Sequence, residues 1–158
     1  ALAIEPAERQ VMQRPPNPPR ENIFGRGMAR DILWIGLLMG LVSLGVGFLY
    51  YRIDPSASPA VWQTVTFTTL TLAQMGNALA TRSDRDTLWQ IGLFSNKTML
   101  GSVMLTFALQ LAVIYVPFLN RAFSTTPLSL RDLLISLGFG TVVFLAVELF
   151  KWIQPRRE

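Results

Sequence analysis

Four long runs of apolar residues dominate the chain, separated by short polar stretches. The first covers Ile32 to Tyr51 and carries no charge, which matches the ~20 helical residues that a bilayer's hydrocarbon core requires. Tyr50, Tyr51 and Arg52 close it like an interfacial belt. The second, about Ala60 to Thr81, is also uncharged but rich in Thr. The third, about Thr98 to Val116, stops at Pro117. The fourth, about Leu133 to Ile153, holds Glu148 and Lys151 near its end. A soluble bundle helix keeps a polar face, whereas the first and third runs are apolar nearly all round. The pattern predicts an all-α membrane protein with four transmembrane helices, about 32–51, 60–81, 98–116 and 133–153.

Residues 1–31 are polar and proline-rich, with Pro15-Pro16 and Pro18-Pro19 flanking Asn17. Paired prolines remove amide donors and hold the backbone extended, which predicts a stiff loop serving either as a spacer or as a docking surface. Residues 154–158 form a short tail. The chain opens on Ala1-Leu2-Ala3-Ile4-Glu5-Pro6, with neither an initiator Met nor a signal sequence, and is expected to be a piece of a longer protein.

Composition agrees with the pattern. Of the 158 residues, 51% are hydrophobic and 15% charged, and the mean hydropathy is +0.37. A soluble domain carries nearer ~25% charged residues. The net charge of +4 does not point to nucleic acid, because the basic residues flank apolar runs singly and make no basic aromatic face. Cys and His are both absent, which removes disulfides, thiolate chemistry, histidine ligands and histidine bases.

Loop charges set an orientation. Eleven basic residues lie on one side of a four-crossing arrangement: Arg9, Arg14, Arg20, Arg26 and Arg30, then Arg82, Arg85 and Lys97, then Lys151, Arg156 and Arg157. Only Arg52, Arg121 and Arg131 lie on the other. The positive-inside rule then puts both termini in the cytoplasm of a multi-pass cell-membrane protein.

Candidate chemistry concentrates in the second helix. At 100° per residue, Gln63, Thr66, Gln74, Asn77 and Thr81 fall in a stripe about 80° wide, with Thr64, Thr68 and Thr71 on another face. Such a stripe is expected to face other helices or a wet cavity. Two readings stand: interhelical hydrogen bonding, or a cation site lined by side-chain oxygens. In the first helix Gly36-x-x-x-Gly40, Ser43 and Gly47 predict a packing face, as do Gly138 and Gly140 in the fourth. Glu148 and Lys151, at i and i+3, are expected to form a structural pair. No phosphate-cradling loop or second intramembrane carboxylate is present, so the chain by itself is not expected to be catalytic.

Taken together, Ala1-Leu2-Ala3-Ile4-Glu5-Pro6 with Met12-Gln13-Arg14-Pro15-Pro16, then Gln74-Met75-Gly76-Asn77-Ala78-Leu79, then Glu148-Leu149-Phe150-Lys151-Trp152, resemble the C-terminal membrane region of P-type cation-transporting ATPases, in the calcium and sodium-potassium pump branch. The resemblance covers essentially the whole chain. It implies that the four helices are helices seven to ten of a ten-helix transport domain and form its support part. The phosphorylated aspartate, the sites for ATP and Mg and the main ion ligands would then lie upstream, leaving no cofactor in this part. The transported cation would be calcium. The position matching Gln74 carries an ion ligand in the family, a Glu in sarcoplasmic-reticulum-type calcium pumps. Gln74-x-x-Asn77 is similar instead to plasma-membrane-type calcium pumps. The loss of one negative charge is compatible with one calcium per cycle or with another cation. The resemblance also implies that Met12, Arg14, Pro15 and Pro16 belong to a coupling loop against the phosphorylation domain. Partners would then be the lipid bilayer, the remaining transmembrane helices and that domain. From a different class, a stand-alone four-helix scaffold or channel subunit fits the same hydrophobic pattern.

Overall fold

The computed structural model describes residues 28–53, 58–82, 92 and 95–153. Among these the structure is entirely helical: α1 (Met28–Ile53), α2 (Pro59–Ala80), α3 (Lys97–Tyr115), α4 (Pro117–Phe123) and α5 (Leu130–Ile153). The proposed coupling-loop residues Met12, Arg14, Pro15 and Pro16 lie outside the described residues.

α1, α3 and α5 are long and apolar enough to cross a membrane. α2 has 22 residues, about 33 Å at 1.5 Å per residue. It does not reach the same apolarity because five Thr, two Gln and one Asn replace hydrocarbon. Its place in the fold accounts for that composition. α2 packs against α1, α3 and α5, whereas large apolar residues of α1 such as Leu33, Leu37, Leu41 and Leu44 face outward. Helix-bound hydroxyls also shed part of their polarity: Thr64, Thr66 and Thr71 each donate to the carbonyl four residues back.

Side-chain contacts fix the directions of the long helices. Tyr50 near the end of α1 donates to Asp132 at the start of α5 at 2.7 Å. Trp34 near the start of α1 meets Phe150 near the end of α5, ring centroids 4.6 Å apart. α1 is therefore antiparallel to α5. Gly140 abuts Leu72 and Lys151 reaches Ala80, so α2 is parallel to α5. Thr68 meets Gln110 where α2 and α3 pass antiparallel. The start of α1 and the end of α5 thus share one end of the bundle. Among the described residues, that end holds Arg30, Arg82, Lys97 and Lys151, and the other holds Arg52, Arg121 and Arg131.

The ends follow local chemistry. Residues 28–31, expected as loop, are already helical, with Asp31 in the first turn where the helix dipole favours a carboxylate. α5 begins at Leu130, a turn earlier than the apolar run. Ser129 and Asp132 make a reciprocal cap there: Ser129 Oγ donates to Asp132 Oδ2 at 2.6 Å, and the Asp132 amide donates to Ser129 Oγ at 3.2 Å. Pro117 ends α3 because it has no amide to offer the Val113 carbonyl. Asn120 of α4 fills the gap, its Nδ2 lying 2.9 Å from the Val113 carbonyl and 2.6 Å from that of Ile114. α4 was not anticipated.

The small-residue faces divide. A Cβ on Gly140 would come within 2.9 Å of Leu72 Cβ, and one on Gly47 would run into Thr66, so both glycines permit close helix contact. A Cβ on Gly36, Gly40 or Gly138 would meet nothing within 4 Å. The expected packing face of α1 is therefore a close approach at Gly47 and not at Gly36 or Gly40.

Candidate functional site

The polar stripe of α2 does not face one environment. α1 takes the Thr66 side of α2, where Gly47 sits against Thr66. α3 takes the Thr68 side. The strip between them, with Gln63, Phe67 and Gln74, is exposed. Gln74 lies at the rim of a groove of about 210 Å³ between α2 and α3, together with Thr71, Ala78, Ser102 and Thr106. The groove therefore offers an amide and three hydroxyls in otherwise apolar surroundings.

Asn77, one turn on, points elsewhere. It is half-buried, and its Oδ1 is buried with no hydrogen-bond partner, while its backbone carbonyl accepts from both the amide and the hydroxyl of Thr81. Thr64 is buried and accepts from the Thr126 amide at 3.0 Å. The stripe grouped by the sequence pattern thus splits between the α1 contact at Thr66 and the open strip at Gln63 and Gln74, while Thr68, on the other face, meets α3.

Glu148 is buried and Lys151 half-buried near the end of α5, with Lys151 Nζ 3.6 Å from Glu148 Oε1. Lys151 also donates to the Ala80 carbonyl. A cation is well placed there because the last carbonyls of a helix are unsatisfied and carry its negative dipole end. A second cation works at the same end. Arg82 Nη2 donates to Ser95 Oγ at 2.7 Å, tying the end of α2 to the approach to α3. Asn96 caps α3 by accepting from the Met99 amide at 2.9 Å.

One polar contact escaped the sequence reading. Gln110 is only 4% exposed, and its Nε2 donates to Thr68 Oγ1 at 3.2 Å. The signal was present: Gln110 is the sole amide side chain in α3, and a lone amide in an apolar helix is costly unless it meets protein. Among the described residues no group of three acidic or other metal-ligating side chains occurs.

Known proteins resemble the chain in sequence over nearly its whole length. The family model described as "Cation transporting ATPase, C-terminus" matches residues 1–153. Calcium-transporting ATPase type 2C member 2 of Rattus norvegicus is 34% identical over 153 residues, which is 96% of this chain and 16% of that protein. Calcium-transporting ATPase type 2C member 1 of Homo sapiens is 32% identical over 160 residues, covering 100% of this chain and 17% of that protein. Calcium-transporting ATPase 1 of Yarrowia lipolytica is 31% identical over 158 residues, 99% of this chain and 17% of that protein. The chain spans about one-sixth of the length of these relatives. A match over nearly every residue makes the chain a member of the cation-transporting ATPase C-terminal family.

Proposed function

We propose that the chain is the support part of the transport domain of an ATP-driven calcium pump. In this reading α1, α2, α3 and α5 cross the membrane as helices seven to ten, with both termini cytoplasmic in a multi-pass cell-membrane protein. ATP and Mg act on upstream domains, and calcium is cargo. The observation that carries the reading is the open strip of α2. A helix with Gln63 and Gln74 exposed at membrane depth needs protein or water against them, and the strip lies between α1 and α3 where further helices can dock. The names and coverage of the relatives support calcium as cargo, and favour the pump over a stand-alone scaffold or channel subunit.

Within that frame Gln74 supplies a neutral oxygen to the ion pathway, and Asn77 adds a buried acceptor one turn away. Glu148 and Lys151 brace the helix ends, and Met12, Arg14, Pro15 and Pro16 contact the phosphorylation domain. The test is calcium-dependent phosphorylation of the full-length protein by ATP. Gln74→Ala is expected to weaken the apparent calcium affinity roughly tenfold, the equivalent of one charge-assisted ligand bond at about 1.4 kcal/mol. An unchanged affinity removes the ligand role and leaves packing.

A further inference from the structure

Two groups stand out among the helical hydroxyls of the described residues. Thr64, Thr66, Thr71, Ser102, Thr106 and Thr141 each donate to the carbonyl four residues back. Ser43, Thr69 and Ser136 do not. They are 2%, 0% and 0% exposed, and none of their hydroxyl oxygens has a hydrogen-bond partner. An unsatisfied hydroxyl in apolar surroundings costs more than its burial returns, so three together require a common explanation.

Helix register brings the three to one level. α1 and α2 are antiparallel, with Met39 clustered against Ala73 and Gly47 against Thr66. One turn from Met39 towards Gly47 is Ser43, and one turn from Ala73 towards Thr66 is Thr69. α2 and α5 are parallel, with Gly140 against Leu72 and Ala73. One turn back along both helices gives Thr69 and Ser136. Each hydroxyl also shares the inward face of its helix: Ser43 with Met39 and Gly47, Thr69 with Val65 and Ala73, Ser136 with Gly140 and Val143. Apolar clusters lie on either side of this level, one around Val46 and Val65 and the other around Met39, Ala73 and Val143.

We propose that Ser43, Thr69 and Ser136 form a binding site for one water molecule at the junction of α1, α2 and α5. A buried water makes about three hydrogen bonds, and three hydroxyls that each donate and accept match that number. Bridging through it links three helices by polar contacts at a depth where lipid supplies none. The ligand is water and not a cation, because three hydroxyls bring no formal charge and a bare buried charge is strongly penalised. Among the described residues, the carboxylates of α5 are committed elsewhere, Asp132 to Tyr50 and Ser129 one turn away and Glu148 to Lys151 near the end of the helix.

A high-resolution structure of the full-length protein tests this. An ordered solvent oxygen about 2.7–3.0 Å from all three hydroxyls is expected, lost in Thr69→Val and retained in Thr69→Ser. Its absence, with the hydroxyls turned to the carbonyls of Met39, Val65 and Asp132, would overturn the proposal. So would an anomalous peak at the same point after soaking with thallium(I), which would mark a cation site. Thermal unfolding gives a second readout. Once Thr69→Val has lowered the midpoint, adding Ser43→Ala or Ser136→Ala is expected to lower it little further. Three independent, additive losses would refute a shared ligand.

Discussion

Gly140→Ala and Gly138→Ala make the same chemical change two residues apart on α5, yet the packing around them predicts opposite outcomes. At Gly140 the added methyl would sit 2.9 Å from Leu72 Cβ and 3.2 Å from both the Leu72 carbonyl carbon and the Ala73 amide nitrogen. Two of those three atoms are backbone, so no rotamer change relieves the clash. α2 and α5 must separate by roughly half an ångström, which forfeits a quarter to a half of the local dispersion contacts. Overpacking of this kind costs about 1–3 kcal/mol. The gain in helix propensity on replacing Gly, about 1 kcal/mol, offsets part of it. At Gly138 nothing lies within 4 Å, and only the propensity gain remains. Thermal inactivation of the full-length protein in detergent is the assay. Gly140→Ala should fall below Gly138→Ala by about 1–3 kcal/mol, a difference of several degrees at roughly 2–4 °C per kcal/mol. Equal midpoints, or a higher one for Gly140→Ala, would refute the claim that this glycine sets the α2–α5 distance.

Asn120→Ala should uncover the Ile114 carbonyl at the Pro117 break, while Thr125 Oγ1 still donates to that of Val113, destabilising by about 1–3 kcal/mol in the same assay. Thr68→Val and Gln110→Leu should each cost about 1 kcal/mol. Their combination should cost less than the sum, because no buried polar group is left without its partner, and a double-mutant cycle reads the coupling directly. Lys151→Met should destabilise by about 1–3 kcal/mol, since it removes the ion pair to Glu148 and the donor to the Ala80 carbonyl.

How far the candidate site was legible differs from residue to residue. Gln74 and Asn77 fall in one stripe by periodicity, yet the structure turns Gln74 to an open groove and leaves Asn77 Oδ1 buried. A helical wheel gives an angle about the axis but not where the neighbouring helices stand. α1 and α3 happen to sit on either side of the strip that Gln63 and Gln74 occupy. Gly36 and Gly40 were equally ambiguous, since spacing alone cannot distinguish a glycine against another helix from one facing outward. Gln110 could have been found by the cost of a lone amide in hydrocarbon, but its partner Thr68 could not.

By itself the sequence determined the helical class, the four apolar runs, of which three are long and apolar enough to cross a membrane, the stop at Pro117 and the resemblance to the cation-transporting ATPase C-terminal region. These follow from local or compositional rules: apolar length against bilayer thickness, a proline without an amide, and residue order. Tertiary structure alone decided that Thr-rich α2 is the central helix, that Gly140 and Gly47 are the close approaches, and that Ser43, Thr69 and Ser136 share one level. The physical reason is that helix–helix packing depends on azimuth and register between segments distant in sequence. Within lipid the hydrophobic effect does not choose among apolar faces. The choice falls to shape and to the few polar groups that must find each other.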